Sequence, residues 1–234
     1  MPGTSPPSSS PTRVVVVAGG SPPDPRVAAR IRGRPESVVR VIAADRGFDH
    51  ALALGLAVDV LVGDFDSIKP ESLEAARERG TVVHQHPTDK EATDLELALD
   101  DALASGSPVT VVIGTGPDDR LDHLAAQFAL LASPSYRSIE LDAWIGRAHV
   151  CVVHGPGSTT IAGRMGELVT LLPVGGPTDG ITTTGLRFPL HNESLDPFST
   201  RGVSNEIADP TTAAVAVDRG ALLVIRPNAL EGHR

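Results

Sequence analysis

Two carboxylates two residues apart, in Gly63-Asp64-Phe65-Asp66-Ser67, directly follow the apolar run Val58-Asp59-Val60-Leu61-Val62. A strand ending in such a turn can aim several anionic oxygens at one hard cation, magnesium or calcium, with glycine permitting the sharp turn. Asp and Ser at a strand end are equally ordinary turn formers, so this stretch alone leaves both roles open. An EF-hand is excluded, because counted from Asp64 its glycine position is Lys69 and its last acid is Ala75. Three further segments carry similar chemistry: Ala44-Asp45-Arg46-Gly47, Asp89-Lys90-Glu91-Ala92-Thr93-Asp94 and Arg120-Leu121-Asp122-His123. Gathering Asp64, Asp66, Glu91 and Asp94 without a cation would set like charges against each other, which points to a divalent metal. Arg120 is suited to neutralising a transferring phosphoryl group, and Lys90 to doing so as a point charge. Read singly, Thr93 and Asp94 are also good helix caps, Asp122 also suits the positive end of a helix, and His123 also suits packing.

The elements that must position these residues alternate. Val14 to Val17, Val38 to Ile42, Val58 to Val62, Thr81 to Val83 and Val109 to Ile113 read as strands separated by helical patterns, the signature of a mostly parallel sheet covered by helices. The clearest helix places Leu95, Ala98, Leu99, Ala102 and Leu103 on one face, with Thr93 and Glu96 as a capping box. A second sets Leu121, Leu124, Ala125, Phe128 and Ala132 on one face. Ligands of open α/β sheets bind beyond the carboxyl ends of the strands, and here those ends carry Gly19-Gly20, Ala44-Asp45, Gly63 to Ser67 and Gly114 to Arg120. After about Ile145 the helical period vanishes, and Leu168 to Leu172, Ala213 to Val217 and Leu222 to Ile225 stand among Gly, Pro, Thr and Asn, as in a small all-β sandwich or barrel.

Composition narrows the function classes. A 41% hydrophobic content suits a globular core, and a formal charge of −9 with no basic stripe argues against nucleic acid or an acidic membrane as partner. Met1 to Thr12 reads as a disordered lead-in and not as a signal peptide, and no later run is long enough to span a membrane. The one cysteine, Cys151, excludes an intrachain disulfide and reads as a small core residue, which fits the cytoplasm. Gly114-Thr115-Gly116 is half a dinucleotide fingerprint, but its third glycine position is Asp119, whose charge would repel a pyrophosphate. No Walker A lysine motif and no Gly-x-Ser-x-Gly elbow occurs.

The order Asp45-x-Gly47, Gly63-Asp64-Phe65-Asp66-Ser67, Lys90-Glu91-Ala92-Thr93-Asp94 and Arg120-Leu121-Asp122-His123 resembles the thiamine pyrophosphokinase family. Gly166 to Pro173, Gly185 to Leu190 and Gly202-Val203-Ser204-Asn205-Glu206 look like that family's vitamin-binding β domain. The resemblance implies an N-terminal Rossmann-like, mostly parallel α/β domain followed by a small C-terminal β-sandwich. The expected divisions are a lead-in at 1–12, the α/β catalytic domain at 13–145, the β-sandwich at 146–226 and a fraying tail at 227–234. It further implies transfer of a pyrophosphoryl group from ATP to the thiamine hydroxyl, with magnesium, in a cytoplasmic homodimer whose active sites lie between subunits. By the same resemblance Asp64, Asp66, Asp94, Arg120 and Asp122 are catalytic, and Asp64, Asp66, Glu91 and Asp94 hold the metal. Asp45, Ser67, Lys90, Thr93, Arg120 and His123 would bind ATP, while Phe188 stacks on thiamine and Ser204 and Asn205 hydrogen-bond it. Glu91 stands where the family usually has Asp, and Asp118-Asp119 where it usually has glycine. A catalytically degenerate thiamine or nucleotide sensor, and a pyrophosphotransferase for another alcohol, are the alternative readings.

Overall fold

A computed structural model describes residues 12–34, 36–117 and 119–231. The lead-in expected at 1–12 lies almost wholly outside the described residues, as do Asp118 and the last three residues of the expected tail. In chain order the first half runs β1 (Thr12–Val17), α1 (Val27–Arg32), β2 (Ser37–Ala44), α2 (Gly47–Ala53), β3 (Val60–Gly63), α3 (Pro70–Glu78), β4 (Val82–Gln85), α4 (Asp94–Leu103), β5 (Val109–Ile113), α5 (Leu121–Leu131) and β6 (Leu141–Ile145). The second half holds β7 (Ala148–His154), β8 (Gly157–Thr160), β9 (Leu168–Pro173), β10 (Thr178–Thr184), β11 (Glu193–Leu195), β12 (Asn205–Glu206), β13 (Ala214–Val217) and β14 (Ala221–Arg226).

The strands form a ten-stranded sheet in the order β12-β9-β14-β7-β6-β5-β1-β2-β3-β4 and a four-stranded sheet in the order β11-β10-β13-β8. From β6 to β4 every neighbour is parallel. From β6 to β12, and throughout the small sheet, neighbours are antiparallel. Period-two alternation explains why the central parallel strands are largely apolar on both faces: Val14 and Val16 enter one core with α4, while Val15 and Val17 enter another with α1 and α2. A third core joins β7, β9 and β14 of the large sheet to β10 and β13 of the small one, through Val153, Leu171, Val224, Ile181 and Val215.

Three features differ from the sequence reading. The division placed at 145/146 falls on a tight turn between paired strands β6 and β7, so one sheet runs through both halves. Residues 227–231 do not fray: Ala229 and Leu230 are buried against the α1 side of the sheet, and Arg26 donates to the Leu230 carbonyl at 3.1 Å. In α5, Leu131 is fully buried, but Leu121 is 78% exposed, and Leu124 and Phe128 pack only partly against the first core. Cys151 is half-buried against the third core, and burial pushes its thiol up to about 12, so it stays a protonated packing group.

Candidate functional site

The parallel strands end in turns that surround one open cleft of about 660 Å³. Its wall takes Gly19 and Gly20 from the turn after β1, Asp45 and Arg46 from the end of β2, Asp64, Asp66 and Ser67 from the end of β3, and Gly114 to Gly116 after β5. Thr93 and Asp94 enter from the start of α4, and Asp119, Arg120 and His123 from the start of α5. Close approach of the turns sets local sequence: a Cβ on Gly47 would overlap the Val17 carbonyl, and one on Gly114 would overlap the Ser21 carbonyl. Asp45 and Phe65, at φ 50° and 65°, adopt a backbone conformation that non-glycine residues rarely take.

The acidic groups differ in state. Asp45 is buried, and burial raises its carboxyl above the usual aspartate range, with the charges of Asp94, Asp64 and Asp66 adding to the rise. Its Oδ2 accepts from the Ser67 hydroxyl, while its Oδ1 is buried without a partner. Lys90 lies between two of the acids, donating to Asp64 Oδ2 at 2.9 Å and standing 3.1 Å from Asp94 Oδ1. The second contact is an ion pair off the hydrogen-bonding direction, since Asp94 Oδ1 is left without a hydrogen bond. The Lys90 hydrogen bond holds the Asp64 carboxyl below the usual range. Part of the neutralisation that the sequence assigned to a metal therefore comes from Lys90. Thr93 caps α4, its hydroxyl accepting from the Glu96 N–H at 3.3 Å, and this cap sets Asp94 at the cleft edge.

Arg120 grips Asp122 through two hydrogen bonds, 3.1 Å from Nε to Oδ1 and 2.6 Å from Nη2 to Oδ2. That grip brings the exposed Asp122 carboxyl down to about 2. A carboxylate so acidic is a poor proton acceptor near neutral pH, so Asp122 is better fitted to orienting Arg120 than to acting as a base.

Among the candidates, the cleft brings together Asp45, Asp64, Asp66, Ser67, Thr93, Asp94, Arg120 and His123, with Lys90 bound to two of its acids. Glu91 is exposed and outside the lining, as is Asp122. Phe188, Ser204 and Asn205 are also absent from it. The Asn205 amide instead fixes the Phe188 backbone: Oδ1 accepts from Phe188 N–H at 3.1 Å and from Glu206 N–H at 2.8 Å, and Nδ2 donates to the Phe188 carbonyl at 2.8 Å. Phe188 is thereby presented 58% exposed, with the Arg187 guanidinium carbon 5.4 Å from its ring centre. The sequence reading passed over two lining residues, Arg46 and Gln127. Arg46 stands inside a quoted motif and Gln127 one turn beyond His123, but neither spacing by itself distinguishes a lining residue from a solvated one. Among the described residues, no three His, Cys, Asp or Glu side chains form a group able to hold a metal unaided.

Fold and cleft together define an α/β protein with a polar ligand site at its strand ends and an antiparallel extension of the same sheet. Family models agree with both parts: thiamin pyrophosphokinase, catalytic domain, matches residues 36–142, and thiamin pyrophosphokinase, vitamin B1 binding domain, matches residues 158–222. The chain belongs to the thiamine pyrophosphokinase family. It is 27% identical over 187 residues to thiamine pyrophosphokinase of Bacillus subtilis, covering 79% of this chain and 86% of that one. A thiamin pyrophosphokinase family protein from Enterococcus faecalis superimposes with a TM-score of 0.73 at 27% identity, over 92% of this chain and 98% of the other. The Bacillus subtilis enzyme's crystal structure gives 0.75 at 24% identity over 92% and 98%, a likeness of fold.

Proposed function

We propose that the protein is a thiamine diphosphokinase, transferring the terminal pyrophosphoryl group of ATP to the thiamine hydroxyl with release of AMP. The observation that carries this reading is the convergence of Asp45, Asp64, Asp66, Asp94 and Arg120 on one cleft in a chain of this family. The hydroxyl oxygen would attack the β-phosphorus while the bond to the α-phosphate oxygen breaks. Lys90, pinned by Asp64 and Asp94, and Arg120, oriented by Asp122, are cations positioned to hold polyphosphate in line, with Arg46 also in the cleft wall. Ser67 and Thr93 border that path, and His123 faces it from α5.

The acids fit magnesium. Asp45 Oδ1 and Asp94 Oδ1 are buried oxygens without hydrogen-bond partners, and hard carboxylate oxygens are what this ion takes. Magnesium usually binds through one or two carboxylates plus substrate phosphates, so one or two of Asp64, Asp66 and Asp94 would hold it together with the nucleotide, and Glu91 only if its loop moves inward. When bound it neutralises phosphate charge.

We assign residues 13–145 to a Rossmann-like catalytic domain and 146–226 to a β-sandwich that binds thiamine through Phe188 and Ser204, with Asn205 positioning Phe188. The sheet order supports a homodimer. From β12, which carries Asn205, to β5 is five strand spacings and to β3 eight, roughly 24 and 38 Å at the usual interval. A vitamin held near Phe188 therefore meets the acidic turns of a second subunit more readily than those of its own. The uncovered α5 face, and Met165, Phe198 at 96% exposure and Val203 in the second half, are apolar surface for that contact. No helix among the described residues is long and apolar enough to cross a membrane, and the free Cys151 suits a cytoplasmic protein.

Mass-resolved product analysis with thiamine, ATP and magnesium tests the reading. Thiamine diphosphate with AMP, abolished in Asp64→Ala, is the expected result. Thiamine binding without product would instead favour a sensor.

A further inference from the structure

One carboxylate in the cleft wall does not belong to the acidic turns. Asp119 Oδ1 accepts from the Ser21 hydroxyl at 2.7 Å, and its Oδ2 accepts from the Gly116 N–H at 2.5 Å. Its own N–H donates back to the Gly116 carbonyl at 3.3 Å. Ser21 and Gly116 come from different turns, after β1 and β5, which meet so closely that a Cβ on Gly114 would overlap the Ser21 carbonyl and one on Gly116 would overlap the Ser21 hydroxyl. A hydroxyl and a backbone N–H converging at the strand ends form a notch for an anionic oxygen. Gly116 and Asp119 both line the cleft that also holds Arg120.

We infer that Asp119 is an internal stand-in for a phosphate group, filling the Ser21–Gly116 notch until a polyphosphate ligand displaces it. The inference rests on the proposed function for the ligand's class, and adds that the Ser21–Gly116 notch is closed to anions by the chain's own carboxylate. Displacement requires only a side-chain rotation of an exposed residue, after which Ser21 Oγ–H and Gly116 N–H are free to donate to a phosphate oxygen. The contact sets a threshold: the ligand must outcompete a tethered carboxylate, which an inorganic phosphate does less well than a longer polyphosphate that also reaches Arg120.

The test is calorimetric titration of the full chain with inorganic tripolyphosphate and magnesium at fixed ionic strength. Asp119→Ala should bind roughly tenfold more tightly than the parent, the size of one charge-assisted hydrogen bond no longer competed for. Ser21→Ala should weaken binding in the Asp119→Ala background more than in the parent. Should Asp119→Ala prove unstable, Asp119→Asn, which keeps the shape without the charge, should shift affinity in the same direction. Equal or weaker binding by the Asp119 variants, or binding by neither protein, overturns the inference and leaves Asp119 as a loop tie or a cation ligand. The readout needs neither thiamine nor turnover, so a parent that makes no thiamine diphosphate sinks the functional reading without deciding this one.

Discussion

Asp45 shows how one residue can be costly alone and useful in company. Its carboxyl is raised mainly by burial, so ionising it opposes folding. Below the ordinary aspartate value, near 3.8, the group is protonated in both folded and unfolded chains and has no effect on stability. As pH climbs from there, the unfolded chain releases its proton first, and the cost grows until the group is ionised in the folded chain as well. Asp45→Asn keeps the bond from Ser67 and removes the charge, so it should melt at a higher temperature than the parent at pH 7. The gain should disappear by about pH 4. Melts of the ligand-free protein at the two pH values check this, and a variant no more stable at pH 7 would contradict the burial argument. At this scale the sequence showed which acids gather, because they follow β-branched runs. It could not show that Lys90 would pair with Asp64 and Asp94, or that Arg120 would be held by Asp122, since such pairings depend on where separate turns land.

Strands and helices were legible in proportion to their burial. The parallel strands β1, β3 and β5, and the second half of β2, are mainly apolar runs covered on both faces, and each is readable from the sequence. Strands β8 and β10, Gly-Ser-Thr-Thr and Thr-Asp-Gly-Ile-Thr-Thr-Thr, have no such run because one face is solvated, and they were not foreseen. The two-residue strand β12 was equally invisible, yet it carries the Asn205 amide that clamps the segment around Phe188. Asn205→Ala would leave the Phe188 N–H and carbonyl without these partners at a site where Asn205 itself is buried. It should lower stability by about 2 kcal/mol in urea unfolding. Thiamine affinity should fall while tripolyphosphate affinity holds. A variant losing both ligands equally would mean that the clamp supports the whole fold.

For the whole molecule, the sheet order makes a prediction that no single residue does. If the cleft of one subunit works with Phe188 of its neighbour, an Asp64→Asn chain and a Phe188→Ala chain are each inactive alone but complementary when paired. Mixed dimers would then hold one site with both residues intact and one with neither. Co-expressed chains pairing at random should recover about a quarter of parental activity, given two-fold symmetry. Recovery confined to the sum of the two variants would place each site within one subunit. The halves are separable in the sequence because their periodicities differ, whereas the hairpin that fuses them into one sheet is not, since a two-residue turn between apolar runs looks the same within a domain as between domains.

Strand β14 lies between β7 and β9, far from its neighbours in the order of synthesis. A growing chain emerging from the ribosome thus presents both β7 and β9 with open edges until residue 226 has been made, more than seventy residues after β7 begins. The half of the molecule made later is also the one that seals the sheet, so β14 must have been made before the nascent protein is safe from pairing with its own kind.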